Sequence, residues 1–271
     1  MSDPVPGQLS PDLSGRVAII TGAGSRGPGI GNGRAISLVL ARAGVSVAMV
    51  DENPEWLAET ERMVAAEGGT GTTLVADVSD PSRCAELVDE VTRRWQRLDI
   101  LVNNVGIAGI PGTAVEVDPE QWSRGLAVNA TSMMLMAKHV VPVMAAAGGG
   151  AIVNVASVAG LLGGYPHLLY PTSKGAVIAM TRAMAVHHGP QGIRVNAVAP
   201  GSVVTPMVES RGMTEKELEA RRRRTPLGTE GTAWDVAAAV RYLVSDEARW
   251  VTGAVLPVDA GLTATFAHPP S

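Results

Sequence analysis

Seven short apolar runs recur along the chain, and each is separated from the next by a segment long enough to hold a helix. Runs that are apolar throughout are typical of strands buried on both faces, in a parallel sheet between layers of helices. The sequence therefore predicts an α/β fold of the Rossmann type, doubly wound, with a seven-stranded parallel sheet and helices on both faces. In such sheets ligands bind beyond the carboxyl ends of the strands. The runs are VAII (17–20), VSVAMV (45–50), TTLVA (72–76), DILVN (99–103), AIVNV (151–155), IRVNAV (193–198) and AVLPV (254–258).

The pattern predicts one domain rather than two. The 271 residues are 46% hydrophobic, which is enough for a sizeable core, and no linker interrupts the alternation before about residue 260. We expect a single dinucleotide-binding and catalytic domain over 1–271, with a loose N-terminal arm at 1–14 and a C-terminal tail at 263–271. Two interpretations of the tail stay open: it covers a neighbouring subunit, or it is disordered.

Charge and cysteine content exclude several kinds of partner. A formal net charge of -4 argues against a nucleic-acid binder and favours a small-molecule partner. The one cysteine, Cys84, excludes an internal disulfide framework and a multi-cysteine metal site, and it is typical of a packed helix residue. We therefore expect no metal site.

The sequence also predicts a cytoplasmic protein with no membrane partner. No Asp, Glu, Lys or Arg occurs between Lys138 and Lys174, but glycines and prolines divide that stretch too often for a membrane span. The first fifteen residues lack the basic and apolar parts of a secretory signal.

A glycine-rich loop, TGAGSRGPGIGNGRA (21–35), follows the first predicted strand. Glycines at this place let the backbone approach a pyrophosphate, and the following helix supplies amide donors and partial positive charge. Two literal frames compete: Gly22, Gly24 and Gly27 fit G-x-G-x-x-G, whereas 27, 31 and 33 fit G-x-x-x-G-x-G. A flexible loop without a ligand is the alternative, because a lone glycine pattern is a weak signal.

Asp51 ends the second predicted strand, in VAMVDEN. A carboxylate at this position accepts hydrogen bonds from the adenosine ribose hydroxyls and repels a 2′-phosphate, which favours NAD(H) over NADP(H). The alternative role is a helix-capping carboxylate.

Tyr170 and Lys174 lie four residues apart in YPTSK and share one face of a predicted helix. An ammonium group beside a phenol favours the phenolate and lowers the pKa of the phenol from about 10, which makes Tyr170 a usable acid or base. Ser157 follows the strand AIVNV, and Asn129 lies within the helical segment 119–146. A surface tyrosine–lysine pair is the alternative, because this spacing is common by chance.

Taken together, ordered motifs over nearly the whole chain resemble those of the short-chain dehydrogenase/reductase family. They are Thr21-Gly22 with the glycine loop, Asp77-Val78, NNVG (103–106), Asn129, Ser157, Tyr170-x3-Lys174, PGSVVTP (200–206) and VTGAVLPVDAG (251–261).

The resemblance implies a nicotinamide-dependent enzyme that interconverts a secondary alcohol and a ketone. Its catalytic tetrad is Asn129, Ser157, Tyr170 and Lys174, with Tyr170 moving the proton and Ser157 bonding the same substrate oxygen. Lys174 would hold the nicotinamide ribose, and Asn129 would position a water that relays protons to Lys174. Three further sets of cofactor contacts are implied. Asp77 and Val78 would contact the adenine, and Asn104 and Gly106, in the NNVG segment, the adenosine side of the cofactor. Val203 and Thr205 would contact the nicotinamide carboxamide.

The resemblance also leads to a third interpretation of the glycine loop. If the first helix ends near Gly44, it begins close to Ile30, and GIGNGRA is similar to a segment of the enoyl reductase branch, although that branch spaces its tyrosine and lysine seven apart. Under this interpretation Gly22 makes the turn and AGSRGP is an extra bulge. The amides of Gly29, Ile30 and Gly31 approach the pyrophosphate, position 33 packs closely, and Arg26 reaches a phosphate.

Substrate and assembly are predicted only as classes. The family commonly forms homotetramers or homodimers. An apolar or cyclic alcohol or ketone is expected, because the expected pocket wall is apolar. A 3-oxoacyl thioester reductase is the main alternative, and a cofactor-binding regulatory protein without turnover is a second. The arginine run 221–224 is expected to be a solvated face rather than an anion site. The wall consists of Val158, Leu161, Leu162, Leu168, Met207 and Val208.

Overall fold

The computed structural model describes residues 12–27, 29–206, 212 and 214–265. The strands are β1 Val17–Thr21, β2 Ser46–Asp51, β3 Gly71–Val75, β4 Ile100–Asn103, β5 Gly150–Val155, β6 Ile193–Pro200, β7 Val203–Val204, β8 Gly231–Thr232 and β9 Val255–Val258. Seven of them form one parallel sheet in the order β3-β2-β1-β4-β5-β6-β9, while β7 and β8 pair separately. Each of the seven predicted runs lies in this sheet, so the predicted fold is confirmed.

Helices cover both faces of the sheet. They are α1 Asn32–Arg42, α2 Pro54–Ala66, α3 Pro81–Trp95, α4 Pro119–Leu126, α5 Ser132–Ala146, α6 Leu169–His188, α7 Glu215–Arg222 and α8 Ala233–Val244. Buried residues of α1 and α8 pack in one cluster with the sheet, and those of α3 and α5 pack in another. The core is therefore two apolar layers separated by the sheet.

Three of the helices begin with the same local signal. Asn53, Asp80 and Asp118 each cap a helix whose first residue is proline, and each side chain accepts an amide of the first turn. An Asx cap satisfies an amide that has no partner within the helix, and proline fixes the backbone where no amide is needed. These caps fix where α2, α3 and α4 leave the ends of the strands.

The expectation that every strand is buried on both faces is wrong for the two edge strands. In β3, Val75 is 47% exposed, and β9 has no fully buried residue. Each edge strand has a sheet neighbour on one side only, and the helix layers cover the centre of a sheet more completely than its margins. The inner strands β1 and β4 are buried throughout.

The strand order reverses at β1, because β2 and β3 follow on one side and β4, β5 and β6 on the other. Adjacent loops leave in opposite directions at such a point and open a crevice at the carboxyl ends of the strands. The topology therefore places a ligand cleft above β1 and β4.

The helical run Pro119–Ala146 is continuous through a π-helical turn, Ala127–Thr131, which joins α4 to α5. Among the described residues it is the one run long and apolar enough to cross a membrane, and half of the window that meets this test is buried inside the fold. Met133 and Met136 are 1% and 0% exposed, so they pack in the core.

The two ends of the described chain differ from the predicted loose arm and tail. Leu13 is 1% exposed, and its amide donates to the Ala43 carbonyl at 2.9 Å, so the arm prediction is wrong at this residue because it packs against the end of α1. At the other end a 3-10 turn, Leu262–Ala264, begins the predicted tail. The remainder of the arm, 1–11, and of the tail, 266–271, lies outside the described residues.

Cys84 lies on α3 and is fully buried, as predicted. Burial raises the pKa of its thiol to about 11, so the reactive thiolate is scarce at neutral pH.

Candidate active site

A cavity of about 550 Å³ opens at the carboxyl ends of the parallel strands, where the fold predicts a ligand. One end is formed by Asp51, the last residue of β2, and by Asp77, which follows β3. The other end is formed by Ser157, Tyr170 and Lys174, which follow β5 or lie on α6. A single cleft therefore joins the two sets of residues that the sequence singles out.

The glycine loop that follows β1 forms one wall of this cavity. Gly22 has φ +65°, a left-handed conformation that favours glycine, and so it makes the turn. A Cβ on Gly33 would lie 1.8 Å from the Gly22 carbonyl oxygen, so only glycine lets α1 pack this closely on the strand end. The structure thus gives these two glycines the local geometry that the third interpretation assigned to them.

The middle of the loop differs from that interpretation. Helix α1 begins at Asn32 rather than near Ile30, because Gly31 has extended backbone angles and is the N-cap. Of the three predicted pyrophosphate contacts only Gly31 lines the cavity. The Gly29 carbonyl instead accepts a hydrogen bond from Arg34 at 2.5 Å. Other described loop residues that line the cavity are Gly24, Ser25, Arg26 and Asn32.

Arg34 holds this loop, and sequence reasoning missed it. The side chain is 2% exposed and also donates to Thr60 Oγ1 at 3.0 Å and to the Trp56 carbonyl at 3.3 Å. These partners are neutral, and burial lowers the pKa of the guanidinium. Nothing in the local sequence marks Arg34, because two of its three partners, Thr60 and Trp56, lie on the next helix.

Asp51 is held by backbone amides at the end of β2. Its carboxylate accepts the Gly24 amide at 3.0 Å and the Asn53 amide at 3.1 Å. Burial raises the pKa of this carboxyl, and the two amide bonds oppose that rise. The capping alternative is not observed, because the cap of α2 is Asn53.

Asp77 and Val78 line the cavity beside Asp51. Asp77 accepts hydrogen bonds from the Ser79 amide at 2.8 Å and from Arg124 at 3.2 Å. Arg124 lies on α4 and also lines the cavity, and no sequence motif singles it out. Its partner is distant in the sequence, so only the fold brings the pair together.

Asn104 and Gly106 line the cavity where β4 ends. Asn104 Nδ2 donates to the carbonyls of Thr21 and Gly22, at 3.2 and 2.9 Å, which ties the end of β4 to the start of the glycine loop. A Cβ on Gly106 would lie 3.3 Å from Lys174 Nζ, so glycine leaves room for the lysine to approach the cavity.

Tyr170 and Lys174 share one face of α6, as predicted. Lys174 Nζ lies 5.8 Å from the centroid of the Tyr170 ring, and both residues line the cavity. Lys174 is 3% exposed and donates to the Val155 carbonyl at 2.8 Å. Burial lowers the pKa of the ammonium group to about 8.

Asn129 lies within the π-helical turn and is fully buried. Its Oδ1 accepts the Ile107 amide at 2.7 Å, and its Nδ2 donates to the Ile107 carbonyl at 2.9 Å and to Ser173 Oγ at 3.0 Å. Single π-helical turns recur at functional sites. Here the turn brings Asn129 to the loop beyond β4 and to α6, and none of these described bonds goes to Lys174.

Ser157 ends the segment after β5 and lines the cavity. Its Oγ accepts the Ala159 amide at 3.1 Å and caps a short 3-10 turn, Val158–Gly160. This bond occupies an acceptor position and leaves the hydroxyl proton available to another acceptor.

The remaining predicted contacts are spread over the substrate side. Val203, Thr205 and Val158 line the cavity, whereas Leu161 is 39% exposed and is not part of that lining. Leu162 and Leu168 line a second, shallower depression beside it, where they are 40% and 37% exposed. Met207 and Val208 lie outside the described residues.

Tyr165 bridges the cavity and the shallower depression. Its ring centroid lies 5.3 Å from that of Tyr170 and 5.3 Å from that of His167. His167 is 7% exposed, and its Nδ1 is buried with no hydrogen-bond partner among the described residues. The described residues contain no cluster of three or more side chains suited to a metal ion.

Comparison with known proteins gives consistent matches. Residues 27–263 match a family model described as enoyl-(acyl carrier protein) reductase. The chain is 37% identical over 250 residues to a 3-oxoacyl-(acyl-carrier-protein) reductase of Thermotoga maritima, covering 92% of this chain and 98% of the relative. It is 37% identical over 249 residues to a cis-4-hydroxycyclohexanecarboxylate dehydrogenase of Sinomonas cyclohexanicum, covering 92% and 97%.

Solved structures agree with the sequence matches. A short-chain type dehydrogenase/reductase from Mycobacterium ulcerans superposes with a TM-score of 0.88 at 30% identity, covering 95% of this chain and 93% of that chain.

Proposed function

Because this chain belongs to the short-chain dehydrogenase/reductase family and is an oxidoreductase of alcohol and ketone groups, we propose that it is an NAD(H)-dependent enzyme for a secondary alcohol and its ketone. The observation that carries the proposal is one cavity with Asp51 at one end and the Tyr170–Lys174 pair at the other. Asp51 suits an adenosine ribose, and the Tyr170–Lys174 pair suits proton transfer at a substrate oxygen.

The loop between these ends fits a pyrophosphate. Gly31, Asn32 and Gly33, at the start of α1, line the cavity, and the helix has no side-chain cap and no acidic residue in its first turn. Its first amides are therefore left for an anionic ligand. Ser25 Oγ is buried and has no hydrogen-bond partner among the described residues. Arg26, which also lines the cavity, is exposed. Amides, a free hydroxyl and a guanidinium are the donor set that a dinucleotide's phosphates require.

Asp51 supports NAD(H) as the cofactor rather than NADP(H). Its carboxylate lies at the end of β2, held in place by the amides of Gly24 and Asn53. A carboxylate accepts hydrogen bonds from two ribose hydroxyls and repels a 2′-phosphate at the same place. The other lining carboxylates, Glu52 and Asp77, add to this repulsion.

The proposed chemistry assigns each step at the substrate oxygen to a side chain. Tyr170 gives a proton to this oxygen during reduction and takes one during oxidation, while Ser157 donates a hydrogen bond to it. Lys174, fixed by the Val155 carbonyl, places positive charge beside the phenol ring. Asn129 holds the Ile107 backbone, which shapes the entrance between β4 and α6. When bound, the nicotinamide supplies or accepts the hydride.

An apolar or cyclic substrate is the proposed class, because Val158 and Val203 line the catalytic end of the cavity and the ring of Tyr165 faces that of Tyr170. We further propose that the protein acts in the cytoplasm as a homotetramer or homodimer, without nucleic-acid or membrane partners.

Reduction of a 3-oxoacyl thioester is the second candidate. It is favoured by the similarity to the Thermotoga maritima reductase, at 37% identity. Asp51 is the observation against it, since biosynthetic reductases of that type usually prefer NADPH.

The experiment is an absorbance screen of the purified protein with NAD(H) and NADP(H). The panel contains cyclic alcohols and ketones, steroids, diols, sugars and 3-oxoacyl esters. We expect turnover of a cyclic secondary alcohol or ketone with NAD(H) at least about tenfold faster than with NADP(H). A clear NADP(H) preference, or turnover of 3-oxoacyl esters alone, would contradict the proposal.

A further inference from the structure

The four consecutive arginines 221–224 are not equivalent in the structure. Arg221 pairs with Glu230 at 2.6 Å, Arg222 with Glu215 at 2.5 Å, and Arg223 with Glu219 at 3.0 Å. Arg224 has no ion pair or side-chain hydrogen bond among the described residues, and it lines the catalytic cavity. Arg223 and Arg224 are exposed, as expected of a solvated face, whereas Arg221 and Arg222 are half-buried. Arg224 differs from Arg223 because, within the described part of the chain, it has no carboxylate partner and because it lines the cavity.

The backbone that carries Arg224 is held in place. Thr225 is 2% exposed, and its hydroxyl donates to the carbonyls of Arg222 and Thr229 at 3.0 and 3.1 Å. The Leu227 amide donates to the Ala260 carbonyl at 3.3 Å, which ties the turn to the end of β9. The start of the Arg224 side chain is thus fixed relative to the sheet.

The carboxylates that line the cavity are confined to one of its ends, although two arginines, Arg26 and Arg124, line that part as well. Its carboxylates among the described residues are Asp51, Glu52 and Asp77, which lie at or just after the ends of β2 and β3, at the adenosine end. Beyond β5, β6 and β9, the charged lining residues are Lys174, Arg221 and Arg224. A low-dielectric cleft lined by one sign of charge concentrates the field and favours a ligand of the opposite sign.

We propose that Arg224 binds an anionic group, a carboxylate or a similar oxyanion, on the substrate. This inference rests on the proposed function and narrows its substrate class to a secondary alcohol or ketone that carries such a group. A guanidinium offers paired N–H donors that match the two oxygens of a carboxylate. Arg221 is already engaged by Glu230, whose side chain is 9% exposed, so among the described residues at this end Arg224 is the arginine without an ion pair.

The test compares two ketones that differ by one carboxylate, 4-oxocyclohexanecarboxylate and cyclohexanone, each reduced with NADH. We expect the wild-type protein to prefer the carboxylate in kcat/KM by at least about tenfold, and Arg224→Gln to remove about ten- to hundredfold of kcat/KM for the carboxylate alone. Arg223→Gln is the matched control, because the Arg223 side chain is 74% exposed and paired with Glu219, and the substitution should leave the preference unchanged.

A binding measurement makes the test independent of turnover. Cyclohexanecarboxylate and cyclohexanecarboxamide are titrated into the protein saturated with NAD. We expect the acid to bind at least about tenfold more tightly than the amide, and Arg224→Gln to abolish the difference.

The two proposals fail in different ways. One outcome would overturn the anion site and leave the oxidoreductase assignment intact. In it, wild type and Arg224→Gln reduce cyclohexanone equally well, the two ketones are reduced equally, and cyclohexanecarboxylate binds no more tightly than cyclohexanecarboxamide. If Arg224→Gln raised the KM for NADH and left the acid preference unchanged, the guanidinium would belong to the cofactor phosphates, which also overturns the proposal. Absence of all turnover would count against the proposed function, while the binding measurement still decides the role of Arg224.

Discussion

The two ends of the cavity hold opposite charges in opposite kinds of setting. Asp51 accepts two backbone amides at the adenosine end, and burial raises the pKa of its carboxyl. Lys174 donates to one carbonyl at the catalytic end, is 3% exposed, and has its pKa lowered by burial to about 8. Neither side chain has an ion-pair partner among the described residues. Each charge is therefore desolvated by the fold without a neutralising neighbour, which is typical of groups kept for binding or catalysis.

The difference between the ends lies in what supports each charge. Asp51 sits on amides supplied by its own strand turn and by the glycine loop, so its geometry survives loss of the charge. Lys174 lies inside α6 against the end of β5, and its charge is the costlier of the two to bury. We therefore expect changes at the catalytic end to alter rate and stability together, and changes at the adenosine end to alter mainly which cofactor is chosen.

The largest effect is expected from Lys174→Met, which keeps the length of the side chain and removes the charge. Turnover should fall by about 10³-fold, because proton transfer at the substrate oxygen loses its electrostatic support. The ligand-free protein should unfold at higher urea at pH 7, since a group shifted from 10.5 to about 8 opposes folding by about 3 kcal/mol, less the lost hydrogen bond. Lys138→Met, at an exposed site on α5, should change neither rate nor stability. If Lys174→Met turned over substrate at the wild-type rate, the proposed role of this charge at the catalytic end would be wrong.

The next effect is a change of cofactor choice in Asp51→Asn. The amide oxygen can still accept the Gly24 amide, so the fold is retained while the repulsion of a 2′-phosphate is lost. The ratio of kcat/KM for NAD to that for NADP should shift towards NADP by about ten- to hundredfold. Glu52→Gln, the neighbouring lining carboxylate, should shift it much less. An unchanged ratio in Asp51→Asn would remove Asp51 from cofactor selection.

A smaller effect is the alkaline stability of the ligand-free protein. Between about pH 8 and 10.5 the unfolded chain keeps the Lys174 proton and the folded protein has lost it, so unfolding takes up a proton. The free energy of unfolding from this group therefore rises with pH, by at most about 1.4 kcal/mol per pH unit. Urea titrations at several pH values should show this rise as a difference between wild type and Lys174→Met. A difference independent of pH would contradict the lowered pKa.

The smallest effect belongs to Asp51 at acid pH. Its folded pKa is raised above the unfolded value of 3.8, so the folded protein binds the proton more readily. The contribution of this group to the free energy of unfolding therefore falls as pH rises from 3.8 towards the higher pKa of the folded protein. A salt-bridged carboxylate would have the opposite sign. Comparing wild type with Asp51→Asn isolates this effect, because the two proteins share all other carboxyls. From pH 3 to 5 the free energy of unfolding of wild type should fall further and further below that of Asp51→Asn. A difference that shrinks over this range would contradict the assignment.

The same two ends show how much the sequence predicts. All seven strands and the Tyr170–Lys174 face were predicted, because each depends on residues that are adjacent or four apart. Gly33 was predicted as a close-packing residue, since its position relative to the strand and helix is fixed by local counting.

What the sequence missed depends on partners brought together by the fold. Arg34 contacts Thr60 across 26 residues, and Arg124 contacts Asp77 across 47. The π-helical turn around Asn129 does not differ from ordinary helix in its pattern of apolar residues. The Gly29 carbonyl is engaged by a buried arginine, a contact that no spacing of glycines reveals. Arg224 differs from its three neighbours only in the structure, which shows a carboxylate partner for each of them.

The central claim is that Tyr170 carries the proton at the substrate oxygen, and Tyr170→Phe tests it most directly. Turnover and NADH binding are measured side by side, with Tyr242→Phe on α8 as the control. We expect Tyr170→Phe to lose about 10³-fold or more of kcat while binding NADH within about twofold of wild type, and Tyr242→Phe to match wild type in both. Turnover within about tenfold of wild type in Tyr170→Phe would contradict the account.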